Sequence, residues 1–140
     1  MMRSIRVGIA MSALLALGAG LSGCGGTAVV DDETASRLVA TWRLVKVSGG
    51  FTGGGQRPTP VEELTFNPNG TFQRIQDGVN ASGNYTILQR KTIFFDGEAS
   101  VITYTPHTLP DIITTVDDTH LTVNEEAADG HTREYERVTP

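Results

Sequence analysis

The sequence predicts an all-β protein, an antiparallel up-and-down β-barrel of about eight or nine strands preceded by a short helix. Short runs of β-branched and aromatic residues recur over residues 42–138, and turn residues separate them. Nearly all the connections are short. No stretch is suited to the long crossover helix that parallel strands require, so consecutive strands are expected to pair antiparallel. A meander of this size closes most simply as a barrel.

The first 23 residues have the three parts of a secretory signal. Arg3 and Arg6 precede an uncharged apolar run over residues 7–21, and small residues follow it. The run is too short for a membrane-spanning helix, which needs about 20 apolar residues. It ends in LSGC at residues 21–24, which resembles the lipobox of bacterial lipoproteins. That resemblance implies cleavage before Cys24 and lipid on this cysteine.

A free thiol is the alternative state of Cys24, the only cysteine in the chain. Its glycine neighbours have no side chains to pack around a core thiol, and a single cysteine in an exported protein has no intramolecular disulfide partner. Lipidation of Cys24 is therefore preferred over a free thiol. The acyl chains would anchor the protein to a membrane, because each buried CH₂ contributes about 0.8 kcal/mol to membrane binding. We expect the protein in the bacterial cell envelope, anchored to the outer membrane and facing either the periplasm or the cell surface.

Three segments are predicted: a signal peptide over residues 1–23, a lipidated tether over residues 24–36, and a single barrel domain over residues 37–140. Cleavage removes two basic residues and no acidic one, which leaves nine basic and 16 acidic residues and a net charge of −7. That charge disfavours binding to nucleic acid, which needs a positive patch.

The acidic run at residues 31–33 has two interpretations. Acidic residues favour a helix N-terminus, and Ala35, Leu38, Val39 and Trp42 follow at the spacing of one helix face. A short helix is therefore preferred. The other interpretation, a signal that sends lipoproteins to the cell surface in some bacterial groups, stays open.

Nine strands are predicted after the helix. They lie at residues 42–47, 64–66, 71–75, 83–88, 92–95, 101–105, 112–116, 121–123 and 131–138. The turn over residues 67–70 should place Gly70 in the left-handed conformation, with proline at its second position. Acidic residues and glycines mark the later turns.

Five short motifs resemble those of the small bacterial lipocalin-like domain. They are ATWRLV at residues 40–45, LTFNPNGTF at 64–72, GNY at 83–85, DTHLTV at 118–123 and YERV at 135–138. The resemblance implies that Arg137 of the last strand packs over Trp42 of the first at the closed end of the barrel. Such a cation–π contact is worth roughly 0.5–2 kcal/mol. Ala40 replaces the glycine of the lipocalin Gly-x-Trp motif, a departure that leaves the barrel prediction intact.

The longest connection, residues 49–60, is rich in glycine. It lacks the lysine and following Ser or Thr of a P-loop, so a phosphate site is not expected. The lipocalin resemblance implies a flexible lid over the open end of the barrel, with Phe51 as its one large apolar residue.

No catalytic or metal-binding pattern is found in the sequence. Adjacent carboxylates at residues 62–63, 117–118 and 125–126 should point to opposite faces of a strand or be solvated at turns. The three histidines, His107, His120 and His131, lack the short spacing of metal ligands and are expected on the surface. No serine lies in a nucleophile-elbow motif. We predict no enzyme activity and no cofactor.

Two functions remain open. The first is a carrier whose barrel binds a small apolar ligand; its predicted binding residues are Phe51, Phe66, Phe72, Tyr85 and Tyr104, with Ile87, Phe95 and Ile102 as further lining. These side chains could instead fill the barrel. The second is an inhibitor or assembly factor that acts through its outer surface. An apolar cavity of at least about 300 Å³ would favour the carrier, and a filled interior the surface function.

Overall fold

The structure, a computed structural model, describes residues 32–50, 59–106 and 108–139. They form one helix, α1 (Asp32–Leu38), and eight strands: β1 (Thr41–Gly49), β2 (Glu62–Phe66), β3 (Thr71–Gln76), β4 (Val79–Lys91), β5 (Glu98–Thr105), β6 (Asp111–Val116), β7 (His120–Glu125) and β8 (His131–Arg137). The signal peptide, Cys24, Phe51 and His107 lie outside the described residues.

The strands form a closed barrel. Each strand pairs antiparallel with the next, and β8 returns to pair with β1, where Trp42 lies opposite Arg137 and Leu44 opposite Tyr135. The predicted antiparallel up-and-down barrel is therefore confirmed. No helix in the described part of the chain is long and apolar enough to cross a membrane.

Helix α1 is shorter than the sequence spacing suggested. It ends at Leu38, and Trp42 belongs to β1, because the chain turns at residues 39–40 and continues as a strand. Leu38 is fully buried, and its carbonyl accepts a hydrogen bond from Trp42 Nε1 at 2.9 Å. Arg137 Nη2 donates to the carbonyl of Arg37 at 2.6 Å. The helix thus covers one end of the barrel, called the helix end below; the opposite end is the pocket end.

The turn at residues 67–70 has the predicted conformation. Gly70 has a φ of +80°, in the left-handed region, and its N–H donates to the carbonyl of Asn67 at 3.1 Å. This turn joins β2 to β3 at the helix end.

The strand predicted over residues 92–95 is wrong, so the barrel has eight strands and not nine. Strand β4 extends to Lys91, and Ile93, Phe94 and Phe95 lie in its connection to β5. Their β-branched and aromatic composition is typical of strands. The long pairing of β4 with β5 ends before them, and all three are exposed to solvent.

The junction between β5 and β6 is the shortest pairing in the barrel. Two residue pairs join these strands, Val101 with Ile112 and Ile102 with Asp111. Eight residue pairs join β4 to β5. The first residues of β5 and the last residues of β6 are therefore not paired with each other. The gap between them leaves an indentation in the wall of the barrel.

Candidate functional site

The helix end of the barrel interior is filled by apolar side chains. Its core comprises Leu38, Trp42, Leu44, Leu64, Phe66, Phe72, Ile102, Tyr104, Leu121, Val123 and Tyr135. The guanidinium of Arg137 lies 4.9 Å from the centroid of the Trp42 ring. Since both residues also bond to the last turn of α1, they hold the helix on the barrel.

The predicted ligand-binding aromatics pack against one another. The Phe66 ring lies 4.9 Å from that of Tyr85, edge to face, and the Phe72 ring lies 4.9 Å from that of Tyr104. Phe66, Phe72 and Tyr104 are almost fully buried, and the Tyr85 hydroxyl donates to the carbonyl of Asn67 at 3.0 Å. These four side chains fill the space that an apolar ligand would need.

Two of the further lining residues also lie inside the barrel, and one does not. Ile102 is fully buried and Ile87 packs against the core. Phe95 is 44% exposed and lies in the connection after β4, outside the barrel. The prediction that Phe95 lines the interior is wrong because it assumed a strand at residues 92–95.

Charged side chains form the next layer of the interior, toward the pocket end. Side chains two residues apart on a strand share a face. Each charged residue stands two positions from an apolar one on its own strand. We call these five residues the charged layer: Glu62 beside Leu64, Arg74 beside Phe72, Asp111 beside Ile113, Glu125 beside Val123 and Arg133 beside Tyr135.

Asp111 is the most enclosed member of the charged layer, with 1% of its surface exposed. Its Oδ2 accepts a hydrogen bond from the Tyr104 hydroxyl at 2.9 Å. Arg133 Nη1 lies 3.6 Å from the same oxygen, and Arg74 Nη2 lies 3.8 Å from it. Burial raises the pKa of Asp111, and the two guanidinium groups partly oppose that rise.

Glu62 lies across the barrel from Asp111, and Arg74 lies between them. Glu62 Oε1 accepts from the Tyr135 hydroxyl at 2.7 Å, and Arg74 Nε lies 3.5 Å from it. The Arg74 guanidinium also lies 5.5 Å from the centroid of the Tyr104 ring. Burial raises the pKa of Tyr104 well above its ordinary value, so its hydroxyl stays protonated and donates to Asp111.

Glu125 completes the layer near the pocket end. Its Oε1 accepts from Arg133 Nη2 at 2.9 Å, and its Oε2 lies 3.4 Å from His131 Nδ1. Gly50, the residue after β1, lies close to this histidine; a Cβ on Gly50 would lie 2.9 Å from His131 Nε2. A larger residue here would have to displace the His131 ring, and the φ of +89° at Gly50 favours glycine as well.

The charged layer has more hydrogen-bonding capacity than its own members use. Among the described residues, Arg74 Nε and Nη2, Asp111 Oδ1 and His131 Nε2 are buried without a hydrogen-bond partner. Buried polar groups nearly always have one. With three carboxylates and two guanidinium groups, the layer also carries one excess negative charge while His131 is neutral. The two Arg74 atoms are donors and Asp111 Oδ1 is an acceptor, so the partnerless atoms suit a polar ligand with both kinds of group. The excess negative charge favours a ligand that carries a positive charge.

A pocket of about 200 Å³ opens over this layer. Its lining includes both apolar and polar side chains: Leu44, Val47, Pro60, Glu62, Gln76, His131 and Arg133. Sites for drug-sized ligands are about 300–1,000 Å³. The pocket is therefore suited to a small molecule or to one polar group of a larger one.

Metal binding is not indicated at the charged layer. In residues 32–50, 59–106 and 108–139, no group of three His, Cys, Asp or Glu side chains is arranged to hold an ion. Arg74 and Arg133 occupy the positions between the carboxylates, where their charges would repel a cation.

The charged layer was not predicted from the sequence, because only carboxylates adjacent in the chain were considered as possible pairs. Glu62 and Glu63 do point to opposite faces: Glu63 lies outside and pairs with Arg43 at 3.3 Å. Glu62 points inward and contacts Arg74 and Tyr135, which lie on other strands. Glu125 and Glu126 also point to different partners, Glu125 to Arg133 and Glu126 to Arg90. His131 was expected on the surface but is partly buried.

One sequence signal could have identified the charged layer. All five residues stand two positions from an apolar residue, within a predicted strand or within two residues of one. Extending the inward–outward alternation of each predicted strand by two residues would have placed these charged side chains inside the barrel.

Comparisons with protein-family models, with curated proteins and with solved structures found no match for this chain. The chemistry of the site is therefore inferred from its own geometry.

Proposed function

We propose that the chain is a non-enzymatic binding protein of the bacterial cell envelope, held on a membrane by lipid on Cys24 and similar to the small lipocalin-like lipoproteins. Its pocket end binds a small polar ligand with an apolar side. One observation carries the ligand proposal: buried hydrogen-bonding atoms without partners lie in the charged layer, beneath a pocket of about 200 Å³.

The size of the pocket argues against a long-chain apolar ligand. Phe66, Phe72, Tyr85 and Tyr104 occupy the interior below it, and the remaining volume is less than such a ligand needs. The apolar ligand expected from the sequence is therefore replaced by a smaller, polar one.

The charges of the pocket indicate the ligand class. Glu62 is in the lining, and the layer has one excess negative charge that a ligand amine would balance. Arg133 is already matched by Asp111 and Glu125, which makes it a weak partner for an anion. Leu44 and Val47 suit a short hydrocarbon segment. Small amphiphilic amines are the first class to test, followed by polyols.

Calorimetry and thermal shifts with a panel of small amines, polyols and fatty acids test the proposal. Binding of an amine should raise the melting temperature of the parent protein, and Glu62→Gln should weaken that binding by about tenfold or more, since a charge-assisted contact is worth about 1.5–3 kcal/mol. Glu63→Gln is the matched control, because its side chain lies outside the barrel. Tight binding of a fatty acid, or equal effects of the two variants, would contradict it.

The anchor is tested separately. Cells that express the Cys24→Ser variant should release the protein from the membrane fraction, whereas the parent remains there. A variant that still fractionates with membranes would place the anchor elsewhere in the chain.

A second function, contact with another surface through the outside of the barrel, is favoured by one observation. Ile93, Phe94 and Phe95 are adjacent and exposed. This feature is compatible with ligand binding at the pocket end, because none of the three side chains lines the pocket of about 200 Å³.

A further inference from the structure

Three consecutive large apolar side chains are exposed in the connection between β4 and β5. Ile93 is 65% exposed, Phe94 47% and Phe95 44%. Single exposed apolar residues are common on soluble proteins and need no explanation. An adjacent group that includes two aromatic rings is less common and is typical of a contact surface. We call these three residues the apolar loop.

The apolar loop lies beside β6. Phe95 borders a shallow groove of about 470 Å³ together with Ile113 and Thr114 of that strand. Phe94 borders a second pocket with Glu125 and Gly130, where β7 leads to β8. Helix α1 also contacts β6. The loop and the helix thus both border β6, which is only six residues, or about 20 Å, long.

The position of α1 limits how far the barrel can lie from a membrane that holds a lipid on Cys24. Helix α1 begins at Asp32, eight residues after Cys24. Eight residues span at most about 26–29 Å. A lipid on Cys24 therefore keeps the start of α1, the helix that contacts β6, within about 26–29 Å of the bilayer.

We propose that the apolar loop inserts into the interface of the bilayer that holds the Cys24 lipid, which rests on the lipidation in the proposed function. Aromatic and aliphatic side chains favour that interface, and a second contact would fix the orientation of the barrel on the membrane. Neither a protein partner nor a second copy of the chain is brought to this side by the chain itself, whereas the bilayer is.

The charges around the apolar loop specify the kind of lipid surface. Asp96 and Glu98 follow it directly and are exposed, and the chain from Cys24 onward carries a net charge of −7. Lys91 precedes the loop, and Arg90 is paired with Glu126. Attraction to anionic lipid is therefore weak, so insertion depends on apolar burial and should change little with salt.

A fluorescent probe on the loop tests the proposal in the full lipidated protein. Lipidation consumes the Cys24 thiol, so the cysteine of Ile93→Cys is the only free one and takes an environment-sensitive dye. On phosphatidylcholine vesicles the dye should shift to the blue and be quenched by lipids that carry a spin label. The shift should persist in high salt and on vesicles containing phosphatidylglycerol.

Two further variants make the result specific. Val79→Cys is the matched control, because Val79 is also highly exposed, at 71%, but is the first residue of β4, at the opposite end of that strand from the apolar loop; its dye should stay in water. Adding Phe94→Ser and Phe95→Ser to Ile93→Cys should abolish the blue shift.

The outcomes separate this proposal from the anchor. A vesicle-bound protein whose loop dye stays in water overturns loop insertion and leaves the lipid anchor standing. A protein that does not bind vesicles at all overturns both. A blue shift that appears without lipid as protein concentration rises identifies a second copy as the occupant, and overturns insertion.

Discussion

The same strands line both ends of the barrel interior, but with apolar side chains at the helix end and charged side chains at the pocket end. Leu64 and Glu62 stand two residues apart on β2, and Phe72 and Arg74 do so on β3. At the helix end the side chains are apolar and packed, while at the pocket end they are charged. The alternation of a strand decides which side chains point inward. The identity of each inward residue decides whether its layer stabilises the barrel or can bind a ligand.

The difference has an energetic cost. Apolar burial at the helix end favours folding by about 25 cal/mol per Å². Burying an ion pair removes both charges from water, and an apolar replacement of similar volume is often as stable or more so. The charged layer is therefore poorly explained by stability alone, which supports a binding role for the pocket end.

The largest effect is expected at the helix end. Trp42→Ala removes a fully buried ring that contacts Arg137 and bonds to Leu38. Truncation of a buried tryptophan costs about 3–5 kcal/mol, enough to unfold a domain of this size or nearly so. Thermal and denaturant unfolding measure the change. Val45→Ala, on the exposed face of the same strand, should cost far less; equal melting of both variants would contradict the assignment of the helix end.

A smaller effect is expected at the charged layer. Tyr135→Phe removes the donor to Glu62 and leaves a buried carboxylate with one partner fewer, which costs about 1–3 kcal/mol. Tyr85→Phe is the matched substitution at the helix end. Its hydroxyl donates to a backbone carbonyl at a partly exposed site, where a hydrogen bond is worth about 0.5–1.5 kcal/mol. Urea unfolding of the two variants compares the ends directly, and a larger loss for Tyr85→Phe would reverse the comparison.

The helix end was more predictable from the sequence than the pocket end, for a physical reason. Trp42 and Phe66 lie in apolar runs whose alternation indicates burial without knowledge of any partner. Glu62 and Asp111 are stable inside because guanidinium and hydroxyl groups of other strands contact them. The contacts of Glu62 with β8 and of Asp111 with β3 join strands that are distant in sequence, so they depend on the register of the closed barrel.

The wrong prediction of a strand at residues 92–95, where the apolar loop lies, has a related reason. Residues 92–95 have the composition of a strand, and β propensity mostly reflects packing on a half-buried surface. The position of Phe95 depends on where the pairing of β4 with β5 ends, at Lys91 with Glu98. Local composition does not contain that information.

The pH dependence of stability should differ in sign between the interior and the surface. Burial raises the pKa of Asp111 above its ordinary value of 3.8. The folded state therefore holds this proton more tightly than the unfolded state, so the contribution of Asp111 is full below about pH 4 and is lost as the pH rises through the folded pKa. Asp111→Asn should remove this decline, and unfolding measured from pH 3 to pH 7 would show it.

Asp117, at the turn between β6 and β7, should show the opposite slope. The backbone N–H groups of Thr119 and His120 lower the pKa of Asp117 to about 2. Its contribution is present above about pH 4 and is lost as the pH falls toward 2. Asp117→Asn should remove that acid loss. Equal slopes for the Asp111 and Asp117 variants would show that burial does not distinguish the two carboxylates.

The smallest effect is expected on the outer face, where a charge pair lacks the burial of the charged layer. Lys46 Nζ lies 2.6 Å from Glu134 Oε1, but the two side chains are 47% and 39% exposed. Exposed pairs of this kind contribute about 0–1 kcal/mol, because water screens them and holding two long side chains in place costs entropy. A double-mutant cycle with Lys46→Ala and Glu134→Ala measures the coupling, which should fall further in high salt. A coupling as large as the loss in Tyr135→Phe would mean that burial is not what gives the charged layer its strength, and the contrast between interior and surface charges would fail.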